Sequence, residues 1–349
     1  MNLRLLSIAT FALAASVLTT GATGCKHPTG TFVATPTGPA GAVDLDSDPA
    51  ALLPYGSVLV ASLGAKEIAN STVGGDLVAL SERVLPFAKE IDFEIKRDLD
   101  RVYIGMYSFS GADLLGVLSG HFDAAKLEAA AAKGLNTPFG VVVASTYAGR
   151  KIYTVANVGF TVLSAKTALV GSEAAMRRAL DRIQVGTIKR EMAPWIAEWV
   201  SQPGYPVLIA SDVTKQSFGK TVTGFIPWIQ GVQYVRVRGR FNPDTSYGMS
   251  GALTYPDPQK AQQAASGFQT FKSSLTMMAA LKMIGIDPLV RNAVVQAQGN
   301  DMQFSTVIDE KQTRQLIRLL TDWIGTGVPP ALPSPAPAPT GTPAPSTSI

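Results

Sequence analysis

Three arginines recur at every second position in one short stretch of the chain. Arg236, Arg238 and Arg240 alternate with apolar neighbours such as Val237. In a β-strand successive side chains point to opposite faces, so this spacing places the three guanidinium groups on one face. Guanidinium forks match anionic oxygens, so the pattern predicts a candidate site for phosphate, lipopolysaccharide or another polyanion. The alternative is the solvated face of a one-sided sheet, with the arginines paired to acidic residues on neighbouring strands such as Asp244.

The sequence offers little for catalysis or for metal binding. Two histidines are present, His27 and His121, and neither has a second histidine nearby to complete a transition-metal site. A serine–histidine–aspartate triad would need His121 and a Gly-x-Ser-x-Gly turn, which the sequence lacks. We therefore predict that His121 lies at the surface or at a strand end. We also predict that the protein is not an enzyme and has no catalytic residue, metal site or cofactor.

Two short patterns imitate ligand-binding loops but lack residues that those loops require. The three aspartates in residues 44–48 imitate the start of an EF-hand, whose sixth and twelfth positions here hold Pro49 and Tyr55. Residues 219–221 (Gly-Lys-Thr) match the end of a Walker A loop, but Thr214 stands at the place of its first glycine. We predict neither a calcium site nor a nucleotide site from them.

The elements that must position these residues follow an export signal. Residues 1–4 are basic, residues 5–18 are apolar and residues 19–24 are small and polar, which is the three-part pattern of a signal peptide. The apolar part is shorter than the roughly 20 residues that a membrane-spanning helix needs. We predict a signal peptide over residues 1–24.

The chain has a single cysteine, Cys25, directly after this segment. The preceding Ala22, Thr23 and Gly24 resemble the lipobox of bacterial lipoproteins. The resemblance implies that the Cys25 thiol receives a diacylglycerol and its amine an acyl chain such as palmitate. Lys26 follows instead of the aspartate that retains lipoproteins in the inner membrane of enteric bacteria, which favours an outer-membrane location facing the periplasm. The alternative is an ordinary secretory signal with a chance cysteine nearby.

Charge and composition exclude some classes of partner. Removal of residues 1–24 takes away one of the 30 Lys and Arg residues, Arg4, and none of the 26 Asp and Glu residues, which leaves a net charge of +3. That charge is too small for a nucleic-acid-binding chain of this length. Hydrophobic residues make up 46% of the chain, which is enough for a sizeable core. We predict a membrane partner through the lipid anchor, envelope proteins or anionic lipid as further partners, and no nucleic acid.

The chain divides by composition into a body between two low-complexity ends. Residues 25–50 are predicted to be a lipidated flexible tether, and residues 328–349 a disordered Pro-rich tail. The body is predicted to contain a first module over residues 51–186, a connector over residues 187–204 and a second module over residues 205–327. In the connector, Trp195, Ile196, Trp199 and Val200 are predicted to pack between the modules, and the alternative is a helix that binds a partner or the membrane interface.

The body shows signs of an internal repeat. Residues 58–62 (VLVAS) and 207–211 (VLIAS) are nearly identical, and each is followed four residues later by a lysine. Asp123, Ser172 and Asp257 are predicted helix N-caps. We predict an α+β fold of two tandem β-α-β-β-α-β-β-α modules, with antiparallel sheets covered by helices on one face.

Several local motifs resemble an uncharacterised family of exported bacterial proteins, many of them lipoproteins. They are the lead into a strand at residues 98–102, a helix start at residues 122–127 and a second helix start at residues 170–173. The resemblance implies the fold and provides no catalytic residue.

These observations predict a non-enzymatic, membrane-anchored lipoprotein that faces the periplasm as an interaction or envelope-assembly component. The alternative is a carrier that binds an amphipathic or anionic ligand between the two modules. A roomy apolar pocket would favour the carrier, and a filled core with an exposed patch would favour the interaction module.

Overall fold

The strands of the body form one large antiparallel sheet. The computed structural model describes residues 44–76, 78, 91–109, 113–134, 136–137, 140–155, 158–219, 223, 226–274, 287–315 and 317. The predicted signal peptide, Cys25 and the Pro-rich tail lie outside these residues and stay predictions.

Within the described residues the sheet has 12 strands, in the order β13-β14-β12-β11-β10-β1-β2-β3-β9-β8-β7-β6. The strands before the connector are β1 (Leu59–Leu63), β2 (Leu99–Met106), β3 (Leu114–Gly120), β6 (Val143–Tyr147), β7 (Arg150–Val155), β8 (Val158–Val162) and β9 (Thr167–Ser172). Those after it are β10 (Val207–Asp212), β11 (Tyr234–Phe241), β12 (Tyr247–Thr254), β13 (Val294–Gln298) and β14 (Asp301–Ile308). A separate two-stranded hairpin contains β4 (Asn136–Thr137) and β5 (Gly140–Val141).

Helices pack against both faces of the sheet. They are α1 (Ala65–Ala69), α2 (Ile95–Asp98), α3 (Ala124–Ala132), α4 (Glu173–Val185), α5 (Pro194–Trp199), α6 (Pro258–Ser273) and α7 (Asp287–Arg291). Two short 3-10 helices cover Pro49–Leu52 and Pro227–Ile229, and residues 310–315 are also helical.

The predicted N-caps act as the sequence indicates. Asp123 accepts hydrogen bonds from the amides of Ala125 and Lys126 at the start of α3. Ser172 accepts from the amide of Ala175, and Asp257 from the amide of Lys260. Each side chain satisfies amides that have no partner within their own helix.

The two nearly identical segments meet at the centre of the sheet. β1 pairs with β10 in antiparallel register, with Val60 opposite Ala210, and both side chains are fully buried. One continuous sheet therefore takes the place of the separate sheets predicted for the two modules. Each segment would otherwise be a hydrophobic edge strand with unpaired backbone groups, and pairing them removes two such edges. We call the residues before the connector the first region and those after it the second region. That these two regions are tandem copies stays a prediction.

Helices cover the back face of the sheet in both regions. We define this face by the side chains of Ala61, Ile104 and Val237. Leu127 of α3 packs against β3 and β9, and Ile68 of α1 packs near the centre of the sheet. Farther along, α7 lies against β14, and α6 packs Ala261 and Ala264 against β12, β13 and β14.

The opposite, front face carries Val60, Leu115 and Arg236, and it is covered unevenly. Helices α4 and α5 bury it over β1, β3, β7 and β9, where Met176, Leu180 and Ile196 are at most 1% exposed. The prediction of helices on one face only is therefore wrong for the first region, which has helices on both faces. Beyond β11, no helix among the described residues packs on the front face.

The folded body begins earlier than the predicted tether boundary at residue 50. Asp46 Oδ1 accepts hydrogen bonds from Ser164 Oγ at 2.5 Å and from Thr167 Oγ1 at 2.6 Å. Asp48 forms an ion pair with Arg190 at 2.7 Å. Two of the three aspartates that imitate an EF-hand thus fasten the start of the body to the β8–β9 turn and the connector.

Part of the predicted connector stripe packs on the front face of the sheet. Ile196 and Val200 are each 1% exposed in the core of the front face, while Trp195 contacts Tyr234 edge to face with 5.2 Å between ring centroids. Trp199 packs beside the arginines of β11 instead. None of the helices in the described ranges has the length and hydropathy needed to cross a bilayer.

Candidate anion-binding groove

The open part of the front face forms a shallow groove of about 370 Å³. Its floor consists of β11, β12, β14 and β13, and Trp199 at the end of α5 lines it from the side. The front-facing side chains on this floor include Arg236, Arg238, Ser250, Gln296, Gln303 and Ser305.

The structure places the predicted arginines on one side of β11, but they have different surroundings. Antiparallel pairing puts Arg236 opposite Ala252, Arg238 opposite Ser250 and Arg240 opposite Gly248. The first two line the groove, whereas Arg240 is exposed beyond it. The prediction that all three share one strand face is confirmed, and their action as one anion-binding unit is not tested.

Arg236 is paired with an acidic residue within the groove. Its Nη2 donates to Asp301 Oδ2 at 2.6 Å and lies 3.3 Å from Thr254 Oγ1. Thr254 in turn donates to the other oxygen of Asp301 at 2.6 Å. The side chains of Arg236 and Asp301 are 31% and 25% exposed, so this pair is only partly screened by water.

The acidic partner is Asp301 and not Asp244, the residue named from the sequence. Asp244 lies in the β11–β12 turn, where it accepts hydrogen bonds from the amide and the hydroxyl of Ser246. These hydrogen bonds lower the pKa of Asp244 and satisfy its carboxylate locally. The alternative of a solvated face with paired arginines therefore applies to Arg236, whose acidic partner is Asp301 instead of Asp244.

Arg238 is held by aromatic rings. Its Cζ lies 4.8 Å from the ring centroid of Tyr205 and 5.9 Å from that of Trp199, and its Nε donates to Ser250 Oγ at 3.2 Å. The indole Nε1 of Trp199 donates to the backbone oxygen of Val237 at 3.2 Å, which fixes the ring against β11. Cation–π contact holds a guanidinium without using its N–H groups.

A row of amides completes the floor across β13 and β14. Gln303 Nε2 donates to Gln298 Oε1 at 2.6 Å, and Gln296 Nε2 lies 3.4 Å from Gln303 Oε1. The sequence analysis did not single out these glutamines or Asp301. A polar strand face could have been predicted from their period-two polar pattern, which is visible in VVQAQ and DMQFS.

A second cleft, of about 300 Å³, lies on the back face at the ends of α2 and α3. Phe93 and Phe122 stack there with 5.7 Å between centroids, beside an ion pair of 3.1 Å between Lys126 and Asp92. His121 also lines this cleft, directly after β3 and exposed, as predicted. Because the lysine is paired with a neighbouring aspartate, the cleft is the weaker candidate for an anion-binding site.

Across the described ranges, no three His, Cys, Asp or Glu side chains cluster closely enough to hold a metal ion. The chemistry that the groove can perform with its own residues is recognition. It combines one paired and one aromatic-held guanidinium with neutral amides and hydroxyls.

Comparisons with known proteins identify similar folds but no family. No family model and no curated protein matches the chain. Crystal form IV of TP0453, from Treponema pallidum, superposes with a TM-score of 0.50 at 13% identity, covering 80% of this chain and 99% of that chain. Crystal form I of the same protein gives a TM-score of 0.48 at 12% identity, covering 79% of this chain and 97% of that chain. At such identities the similarity is one of fold alone.

Proposed function

We propose that this protein is a non-enzymatic lipoprotein, anchored through Cys25 and facing the periplasm from the outer membrane. In this proposal its body is an interaction or envelope-assembly component that binds through the open part of the front face. The observation that carries the proposal is the uneven covering of one sheet. Helices pack on the back face in both regions and on the front face of the first region, but the described residues leave the front face of β12, β13 and β14 open.

The open surface has the character of a contact surface and not of an unfinished core. Most of its front-facing side chains are polar or charged, with Val294 and Val307 as exposed apolar exceptions, while Met302 and Leu253 on the same strands point to the back face. A sheet face of this composition tolerates water when it is free and provides hydrogen bonds when it is covered. That combination fits a partner that binds reversibly.

The alternative of a carrier required a cavity between the two regions. The regions instead meet strand to strand, and Val60, Ser62, Leu208 and Ala210 at the seam are all fully buried. The β1–β10 pairing therefore fills the place where the carrier's ligand would lie, and the interaction component is the function that the geometry supports better.

The anchor part of the proposal rests on the lipobox resemblance. The tether predicted from the sequence, taken as a flexible coil of roughly 20 residues, would span about 25 Å on average, which is enough to hold the body clear of lipid headgroups. The fold is shared with TP0453, itself a lipoprotein, which is compatible with this location.

Labelling of cells with a fatty-acid probe tests the anchor. The wild-type chain should take up label and sediment with outer membranes, whereas Cys25→Ala should take up none. A labelled Cys25→Ala protein would contradict lipidation at Cys25. Unlabelled wild-type protein would do so as well.

Crosslinking pull-down from intact envelopes tests the interaction surface. Ser305→Trp places a bulky ring on the groove floor, and Ser266→Trp places the same ring on the exposed side of α6 as a control. We expect Ser305→Trp to lose captured partners that wild type and Ser266→Trp retain. Equal capture by all three proteins would contradict binding through this face.

A further inference from the structure

Among the described residues, the groove has a single cation without an acidic partner. Its charged lining residues are Arg236, Arg238 and Asp301, which gives a net charge of +1. Asp301 lies within 2.6 Å of Arg236, so the unpaired charge belongs to Arg238. A phosphate dianion or a polyanion would need more than one free cation at this place, whereas one carboxylate needs one.

The Arg238 side chain is fixed in advance of binding. Tyr205 holds its guanidinium group at 4.8 Å, Trp199 lies between it and Arg236 at nearly equal distances of 5.9 and 5.8 Å, and Ser250 accepts from Nε. Neither terminal nitrogen of Arg238 has a hydrogen-bond acceptor among the described residues. Because the rings rather than an acidic residue hold the group, its two outer N–H groups form a rigid fork whose charge is not neutralised.

We infer that Arg238 is the carboxylate-binding fork of a site for a small polar ligand with one carboxylate group. The two terminal nitrogens of a guanidinium match the two oxygens of a carboxylate in a bidentate pair. This inference specifies which class of ligand binds to the open front face. It rests on the proposed function only for the location of that face in the cell envelope.

The rest of the groove favours a neutral remainder on the ligand. Ser305 and Val294 lie in the cross-strand row of Arg238, and the amides of Gln303 and Gln296 lie in the neighbouring row of Arg236. A space of about 370 Å³ is at the small end of ligand sites, which suits a sugar acid or a short peptide with a free carboxyl end. The shared chemistry of both is the carboxylate.

Titration calorimetry on the full chain in detergent tests the inference. The probes are galacturonic acid with galactose as its neutral counterpart, Ala-Ala with its C-terminal amide, and inorganic phosphate. Wild type should bind at least one carboxylate probe more than tenfold tighter than its neutral counterpart, and tighter than phosphate. Binding of only the sugar acid or only the dipeptide identifies the source of the carboxylate.

Two variants and a matched control separate the fork from general charge. Arg238→Gln should weaken carboxylate binding at least tenfold, and Arg240→Gln, on the same strand face outside the groove, should leave it unchanged. Arg238→Lys keeps the charge and loses the fork, so it should also bind weakly. The inference is overturned if wild type does not distinguish carboxylates from neutral counterparts, if phosphate binds better, or if Arg238→Lys binds as wild type does.

The outcome is distinguishable from failure of the proposed function. If Ser305→Trp abolishes the capture of envelope partners but wild type binds no carboxylate, the inferred ligand class is overturned and the proposed interaction surface is retained. Carboxylate binding without any partner lost in Ser305→Trp would leave the ligand class and overturn the interaction role.

Discussion

Asp301 on β14 reaches across the intervening strand β12 and holds Arg236 on β11, with 2.6 Å between the carboxylate oxygen and Arg236 Nη2. Arg238, two residues along the same strand, has no acidic partner among the described residues; it packs on Tyr205 and shares Trp199 with Arg236. One acidic residue thus decides which arginine of the row is available to a ligand.

Removal of that acidic charge should change what the groove binds. Asp301→Asn releases Arg236 and raises the net charge of the groove from +1 to +2. We expect inorganic phosphate to bind several-fold tighter than to wild type, with an affinity that falls as salt is added. The half-buried pair also stabilises the fold, so the variant should lose about 1 kcal/mol of unfolding free energy.

Calorimetry at two salt concentrations measures this change in binding. Asp244→Asn is the matched control, since Asp244 hydrogen-bonds Ser246 in the β11–β12 turn. Equal phosphate affinity in wild type and Asp301→Asn would show that the pair does not control the charge of the groove.

The aromatic hold on Arg238 predicts a role for Trp199. Trp199→Phe removes the indole donor to Val237 and weakens the cation–π contact, so Arg238 should be less well fixed. We expect several-fold weaker carboxylate binding and a loss of about 1 kcal/mol of unfolding free energy. The control is Trp195→Phe, whose ring contacts Tyr234 outside the groove. Carboxylate binding that is equally weak in both variants would argue against a specific role for Trp199.

The start of the body should be sensitive to acid through Asp46. Hydrogen bonds from Ser164 and Thr167 lower the pKa of Asp46 below its ordinary value of 3.8. A carboxyl group with a lower pKa in the folded state stabilises the fold above the unfolded pKa and loses that contribution as pH falls through the folded pKa.

Asp46→Asn should therefore be less stable than wild type at pH 6, by about 1 kcal/mol after allowance for solvent screening. The difference should shrink as the pH is lowered below about 4. Urea unfolding of both proteins between pH 6 and pH 2.5 measures it. A difference that stays constant over that range would mean that ionisation of Asp46 is not involved.

The seam between β1 and β10 predicts that the two regions unfold together. Val60→Ala removes two methyl groups from a fully buried site and should cost about 1–3 kcal/mol of unfolding free energy. Because one sheet continues through the seam, hydrogen exchange should speed up in both β3 and β12. Val143→Ala on the edge strand, where the side chain is 61% exposed, is the control and should change little. Faster exchange confined to β3 would indicate two independent units.

The sequence was sufficient where a feature depends on neighbouring residues. Asp123 and Ser172 cap helices because an oxygen two or three residues ahead of an amide has the geometry to accept from it. The alternation of Arg236 and Arg238 fixes their common face for the same reason, since strand period is local.

Long-range strand order could not be predicted in the same way. Asp244 is close to the arginines along the chain, but Asp301 is close to Arg236 only because β14 pairs with β12 after 46 intervening residues that include α6. The joining of β1 to β10 likewise depends on which edges are free once the other strands are paired. The polar row on β13 and β14 can be assigned to the groove only when those strands are placed beside β12, in the same sheet as β11.

Site-specific photocrosslinking in intact envelopes tests the central claim most directly. A photoreactive residue replaces Gln303 on the open front face in one protein and Gln263, exposed on α6 of the back face, in another. The account predicts a defined crosslinked adduct from position 303 and none from position 263. Adducts from position 263 with none from position 303 would contradict it.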